Sequence, residues 1–343
     1  MKQSRSLILL LVALLGLSAV LAACGATQTT TASTAATTSA TAAAKANVRV
    51  AALKGPTGIG LVKIMNDQEK GQAANNYTFS LFGTPDDIVA QLSSGQADIA
   101  ALPTNLAATL YQKTNQQIQI LAINTLGVLY ILEKGNTIHA MGDLAGKTIQ
   151  ATGQASVPEY VLNELLAKSN LPAPATVEYK TEHSELATLA VAGKADLVML
   201  PEPFVTTVLS KNSEFRIALD LTAEWQKIQK AAGKTSELSM GCLVVTAAFA
   251  KSHAAAIQSF MQEYKLSTDY VNANPVEAGA AVARFQIMAD AGQAAKAIPN
   301  CHIVMIQGQA MQSTLQPFLE ILYAANPKSV GGKLPDASFY WLP

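Results

Sequence analysis

Two short loops, 98 residues apart, carry the residue types best suited to gripping a small molecule. Sliding the chain by that offset lays Gly55-Pro56-Thr57-Gly58 on Gly153-Gln154-Ala155-Ser156, and Gly95-Gln96-Ala97-Asp98-Ile99 on Gly193-Lys194-Ala195-Asp196-Leu197. Each of the first pair follows a short apolar run, so each sits where a strand gives way to a helix. There glycine lets the backbone come close to a ligand, and free helix N–H groups and a hydroxyl point at it. Pro56, Thr57 and Gly58 are therefore expected contacts from one loop, Gln154 and Ser156 from the other, with Ser156 also fit to cap a helix. Thr104 and Asn105 follow Leu102-Pro103 and read equally as contacts or as a cap. The offset places Glu202 opposite Thr104, a carboxylate at the cleft or a solvated loop acid between two prolines. Thr125 and Gly127 sit on a segment expected to cross between halves, while Asp98 and Asp196 read as turn geometry.

Other chemistry does not assemble. His139, His183, His253 and His302 are never three or four residues apart, and Cys301-His302 is adjacent rather than spaced for a metal, so no metal site is expected. Neither a Ser-His-Asp nor a Cys-His order stands in a context that would support nucleophilic catalysis, so no catalytic residue and no cofactor are assigned. A formal charge of +0 with 14% charged residues provides no basic field for nucleic acid. Cys242 and Cys301 fit one disulfide or two buried thiols equally. Tyr130 is a stacking candidate, and Trp225 reads as core.

At the N-terminus, Lys2 and Arg5 precede an uncharged apolar run from Leu7 to Val20, shorter than the roughly 20 residues a membrane span needs. Residues 1–23 read as a signal peptide. Leu21-Ala22-Ala23-Cys24 resembles the bacterial lipobox, which implies that Cys24 carries the lipid. Residues 24–47, almost all Ala, Thr and Ser after the cysteine, read as a flexible tether on the extracytoplasmic face of the cell membrane.

From Val48 onward the apolar pattern repeats a β-α-β-α-β rhythm. Strands are expected at Val48 to Leu53, Tyr77 to Phe82 and Ala97 to Leu102, and again at Lys147 to Thr152, Thr176 to Tyr179 and Asp196 to Leu200. Thr84-Pro85-Asp86-Asp87 is a helix start, and helices are expected at Val157 to Lys168 and Ser184 to Val191. Asn124 to Leu132 is expected to cross outward and Gly241 to Thr246 to return. Helical stretches follow over Ser252 to Ile287, broken at Asn274-Pro275, and over Gln309 to Ala325. The implied division is lobe I over 48–126 and 243–343, and lobe II over 127–242.

These features in their order resemble a family. The lipobox, the GPTG loop, the GxADxxxLP strand ends, Asp143-Leu144-Ala145-Gly146-Lys147 and Pro201-Glu202-Pro203-Phe204 together resemble the substrate-binding proteins of nitrate, sulfonate, taurine and thiamine-precursor ABC importers. The stretch Asn326 to Gly332 with Leu334-Pro335 resembles an ending of Gram-positive members. The resemblance implies an α/β, two-lobed periplasmic-binding-protein type II fold, each lobe built on a mostly parallel sheet with flanking helices and a helical C-terminal segment. It also implies a monomer that binds a small molecule in the inter-lobe cleft and hands it to an ABC permease and its ATPase. A solute-sensing or adhesive surface lipoprotein is the alternative, and an enzyme on the same fold a remoter one. The ligand's charge stays open at this level, because helix N-termini favour an anion and Glu202 a cation or a donor.

Overall fold

A computed structural model describes residues 45–342. The signal peptide, Cys24 and all but the last three residues of the expected tether lie outside the described residues. The first strand begins at Asn47, one residue earlier than expected, because Ala46 already accepts a hydrogen bond from the backbone of Asn76.

The chain runs β1 (Asn47–Leu53), α1 (Pro56–Ile59), α2 (Val62–Glu69), β2 (Asn76–Phe82), α3 (Pro85–Ser93), β3 (Ile99–Pro103), α4 (Thr104–Lys113) and β4 (Ile118–Thr125). It then forms β5 (Leu129–Lys134), β6 (Thr148–Thr152), α5 (Val157–Lys168), β7 (Thr176–Lys180), α6 (His183–Val191), β8 (Leu197–Pro201), α7 (Phe204–Lys211), β9 (Phe215–Asp220) and α8 (Leu221–Ala231). The return is β10 (Gly241–Thr246), followed by α9 (Ala247–Ser252), α10 (Ala254–Ala273), α11 (Pro275–Arg284), α12 (Ala291–Ala297), β11 (Ile303–Gln307) and α13 (Gly308–Ala325).

The strands form two sheets, ordered β11-β4-β10-β3-β1-β2 and β7-β6-β8-β5-β9. The 98-residue offset carries α3 onto α6 and β3 onto β8 end to end. It also matches the sheets strand by strand, β2 with β7, β1 with β6, β3 with β8 and β4 with β9. Most strands point one way. The exceptions include one strand per sheet that arrives from the other half: β10 inserts antiparallel between β3 and β4, and β5 inserts antiparallel between β8 and β9. The pairing is therefore mixed, although β1, β2 and β3 pair in parallel and so do β6, β7 and β8. The expected single crossing over Asn124 to Leu132 is instead the end of β4, a three-residue break and the start of β5. Gly241 and Cys242, expected at the end of lobe II, pair with β3 and β4.

Side-chain chemistry explains the local turns. Thr84 accepts from the Asp87 amide to cap α3, Pro85 fills its first position, and Asp86 and Asp87 face its positive end. Asp98 receives three hydrogen bonds from Arg49, clamping β1 to the start of β3. Trp225 is fully buried, edge-on to Phe318 at 5.6 Å, with its Nε1 donating to Ser236. Cys242 and Cys301 are free and buried, in separate apolar clusters. Among the described residues no helix is long and apolar enough to cross a membrane.

Candidate ligand-binding cleft

The carboxyl ends of both sheets converge on one small cavity of about 70 Å³. Its wall takes Pro56 and Thr57 from the loop after β1, Thr125 from the end of β4, Ser156 and Pro158 from the loop after β6, and Pro201 from the end of β8. Topology puts them there: strands that run the same way within a lobe bring their following loops to the same edge, and the edges of the two lobes face each other. Local geometry then brings the backbone in. Gly55 has φ +132°, open to glycine, where β1 turns into α1. A Cβ on Gly58 would lie 2.5 Å from the Leu53 carbonyl, so only glycine lets the loop fold back on its strand.

Four of the expected contacts, Pro56, Thr57, Thr125 and Ser156, are thus brought together. Thr57 Oγ1 donates to the Leu53 carbonyl at 3.4 Å, Thr125 Oγ1 to Asn124 Oδ1 at 3.1 Å and Ser156 Oγ to the Gly153 carbonyl at 2.8 Å. Ser156 stands at the N-cap of α5 but makes no capping bond with its side chain. That end is met by Glu159, which accepts from the Ala155 amide.

The other five lie elsewhere. Gly58 packs under the loop. Thr104 is fully buried, and its hydroxyl donates to the Ser239 carbonyl at 2.5 Å, behind the cavity wall. Asn105 is buried and ties the two halves together through Ala155 and the tail through Ser329. Gln154 is exposed at the turn, away from the cavity. Glu202 is neither a solvated loop acid nor a cavity residue. It is 3% exposed, and its two oxygens accept from the Thr206 amide and hydroxyl at 3.0 and 2.9 Å, closing the start of α7. Burial raises its carboxyl above the usual range, against the opposing pull of those two bonds and of His302. Gly127 is not a lining residue, since its carbonyl accepts from His302 and a Cβ would strike Thr222; Tyr130 also stands outside the wall.

Sequence reasoning missed His183, which it weighed only as a metal ligand. The first residue of α6, it lines the cavity with Nδ1 held 2.5 Å from Thr152 Oγ1 and its ring 5.3 Å from Phe204. Burial lowers its pKa to about 4, so it is neutral at physiological pH. The signal was the offset itself, which pairs His183 with Pro85, another wall residue. A larger groove of about 660 Å³ adjoins the cavity at Lys54 and runs between α6, α7 and the α11–α12 turn. The lobes are in contact beside it, where a Cβ on Gly83 would lie 3.0 Å from the Glu182 carboxylate. No cluster of three metal-ligating side chains occurs among the described residues.

Comparison with known families matches residues 80–278, more than half of the chain, to the family described as NMT1/THI5 like. The chain belongs to that family. Solved structures share its fold. An ABC transporter protein from Parabacteroides distasonis is 24% identical, with a TM-score of 0.71 over 86% of this chain and 99% of that one. The alkanesulfonate-binding protein SsuA from Xanthomonas axonopodis pv. citri, bound to MOPS, is 16% identical, with a TM-score of 0.68 over 88% and 100%. The zinc-bound ligand-binding component of an ABC-type import system from Staphylococcus aureus is 14% identical, with a TM-score of 0.65 over 87% and 97%. A comparison with curated proteins finds no match. The NMT1/THI5-like chain thus has the two-lobed α/β fold of periplasmic binding proteins.

Proposed function

We propose that this chain is the extracytoplasmic solute-binding component of an ABC import system, and that it binds its solute between Thr57 and Ser156. The observation that carries the reading is the meeting of two sequence-matched loops, one from each half, around a single cavity at the carboxyl ends of both sheets. A ligand held by both loops favours the closed arrangement, and closure is the signal a permease reads. Residues 48–126 with 241–343 form one moving lobe and 127–240 the other, with Gly241 and Cys242 moved to the first lobe by their strand pairing, and the chain is carried as a monomer on a lipid at Cys24. Pro56, Thr57, Thr125, Ser156 and His183 are the proposed contacts. Fold likeness to SsuA makes sulfonates one class worth testing.

The test is a thermal-shift screen of the purified chain against sulfonates, nitrate, amino acids, polyamines and thiamine or flavin precursors. A ligand at a hundredfold excess over its dissociation constant stabilises the native state by roughly 2.7 kcal/mol. A shift that Thr57→Val and Ser156→Val both abolish supports the reading, and a shift that neither variant affects removes the ligand from this cavity. Anchoring has its own check. An alkyne fatty acid fed to expressing cells labels the wild-type chain and leaves Cys24→Ala unlabelled; equal labelling of both refutes the anchor.

A further inference from the structure

We propose that the cleft selects a compact, uncharged ligand that donates hydrogen bonds, and that it rejects anions. The inference rests on the reading above, that this cavity is the solute site, and goes on to name the ligand's class.

Hydrogen-bond polarity is the first ground. The hydroxyls of Thr57, Thr125 and Ser156 each spend their one proton inside the protein, on the Leu53 carbonyl, the Asn124 amide oxygen and the Gly153 carbonyl. What they present to the cavity is lone pairs. A carboxylate or sulfonate is acceptor-only and finds no partner in them, whereas an N–H or O–H does. An unmatched polar group enclosed beside them would cost the full desolvation of that group.

The second ground is charge. The positive ends of four longer helices that start at the cleft are already answered by the chain's own acids: Asp86 and Asp87 in the first turn of α3, Glu159 at α5, Glu185 in the first turn of α6, and Glu202 at α7. α1 carries no acid, but it is a single turn of four residues with little dipole of its own. The α4 start carries no acid, but Thr104 there is shut behind Met240 and Ser239, its amide and hydroxyl donating to their carbonyls. Lys54 is the one lysine or arginine on the wall, and it is exposed. A cation fares no better, since no carboxylate lines the cavity and the oxygens of Glu202 are committed to Thr206. His183 is uncharged, with its Nδ1 engaged by Thr152, and the rest of the wall is largely apolar, with prolines at 56, 85, 103, 158 and 201, and Met240.

Matched probes that differ only in charge or donor capacity test the inference. Benzamide, benzoate, N,N-dimethylbenzamide and benzylammonium, and the corresponding isobutyryl set, are titrated into the full chain by ligand-observed NMR, with Ser156→Val as the site control. The expected result is that a primary amide binds at least about tenfold tighter than its acid, its tertiary amide and its ammonium analogue, and loses that advantage in Ser156→Val. An acid or ammonium bound as tightly as the amide, and weakened by Ser156→Val, overturns the ligand class and leaves the cavity as the solute site. A tertiary amide equal to the primary one overturns the donor requirement. If no probe's binding responds to Ser156→Val, the inference falls together with the reading on which it rests.

Discussion

Asn105 and Ala155 are 50 residues apart in sequence and belong to different halves of the protein, yet the Asn105 side-chain amide donates to the Ala155 carbonyl at 3.3 Å. The same amide donates to Ser329 at 3.1 Å, so one buried side chain joins the first half, the second half and the tail. Removing it takes this donor from the Ala155 carbonyl and leaves the buried Ser329 carbonyl only the Thr109 hydroxyl. Asn105→Ala should cost about 1–3 kcal/mol, measured by urea unfolding. Because Ala155 belongs to the same loop as Ser156, small-angle scattering should also show a larger mean dimension for the ligand-free variant than for the wild type. Unchanged scattering would mean that this bond does not hold the halves together.

His183 gives the cleft a pH signature. Its folded pKa of about 4 lies below the ordinary 6.5, so the folded state binds fewer protons than the unfolded state between those values. Stability from this group is therefore complete above pH 6.5 and lost as pH falls toward 4, a change of up to about 3 kcal/mol. His183→Gln keeps a polar partner for Thr152 and removes the titration. Subtracting the variant's stability profile from the wild type's should leave a rise over that interval; a flat difference would show that His183 titrates normally.

The repeat was legible because it is written in residue types: α3 and β3 reappear as α6 and β8 at one offset, and the loops that close the cavity came with them. The return strand at Gly241–Thr246 was also readable, as a short apolar run after a polar one. What lay beyond reach depended on partners distant in sequence. Thr104 reads equally as a contact or a cap in sequence, and what decides its place is the Ser239 carbonyl just before β10, which accepts from its hydroxyl 135 residues away. Asn105 found Ser329 from 224 residues away. Glu202 is the opposite case, since its partner Thr206 is only four residues on, but whether a loop acid turns to its own helix or to the cleft depends on burial that no local pattern reveals.

Glu202 should accordingly tolerate loss of charge but not loss of its oxygens. Burial already favours its neutral form, and a glutamine retains an oxygen that can accept from Thr206. Glu202→Gln is expected to stay within about 1 kcal/mol of wild type, while Glu202→Ala, which strands the Thr206 amide and hydroxyl, should lose about 1–3 kcal/mol. Both should keep the wild-type ligand preference, because neither touches the cavity wall. A changed preference in Glu202→Gln, read by the same titrations, would return this carboxylate to the site.

Gly241 tests how tightly the cavity floor is built. A Cβ there would stand 2.6 Å from Asn124 Oδ1, 2.7 Å from Thr57 Cγ2 and 3.2 Å from Thr125 Cβ. Two of those three residues are proposed ligand contacts, and the third holds the hydroxyl proton of Thr125. Both neighbouring strands pin Gly241 in place, so the backbone cannot withdraw and the side chains must move instead. Gly241→Ala should cost about 1–3 kcal/mol through overpacking and displace Thr57 from the wall. Ligand affinity should fall in this variant even at temperatures where it is fully folded. Gly142 is the control, since its added Cβ would meet nothing within 4 Å. Gly142→Ala should leave affinity at the wild-type value, and equal losses in the two variants would mean that the effect of Gly241→Ala does not arise at the cavity.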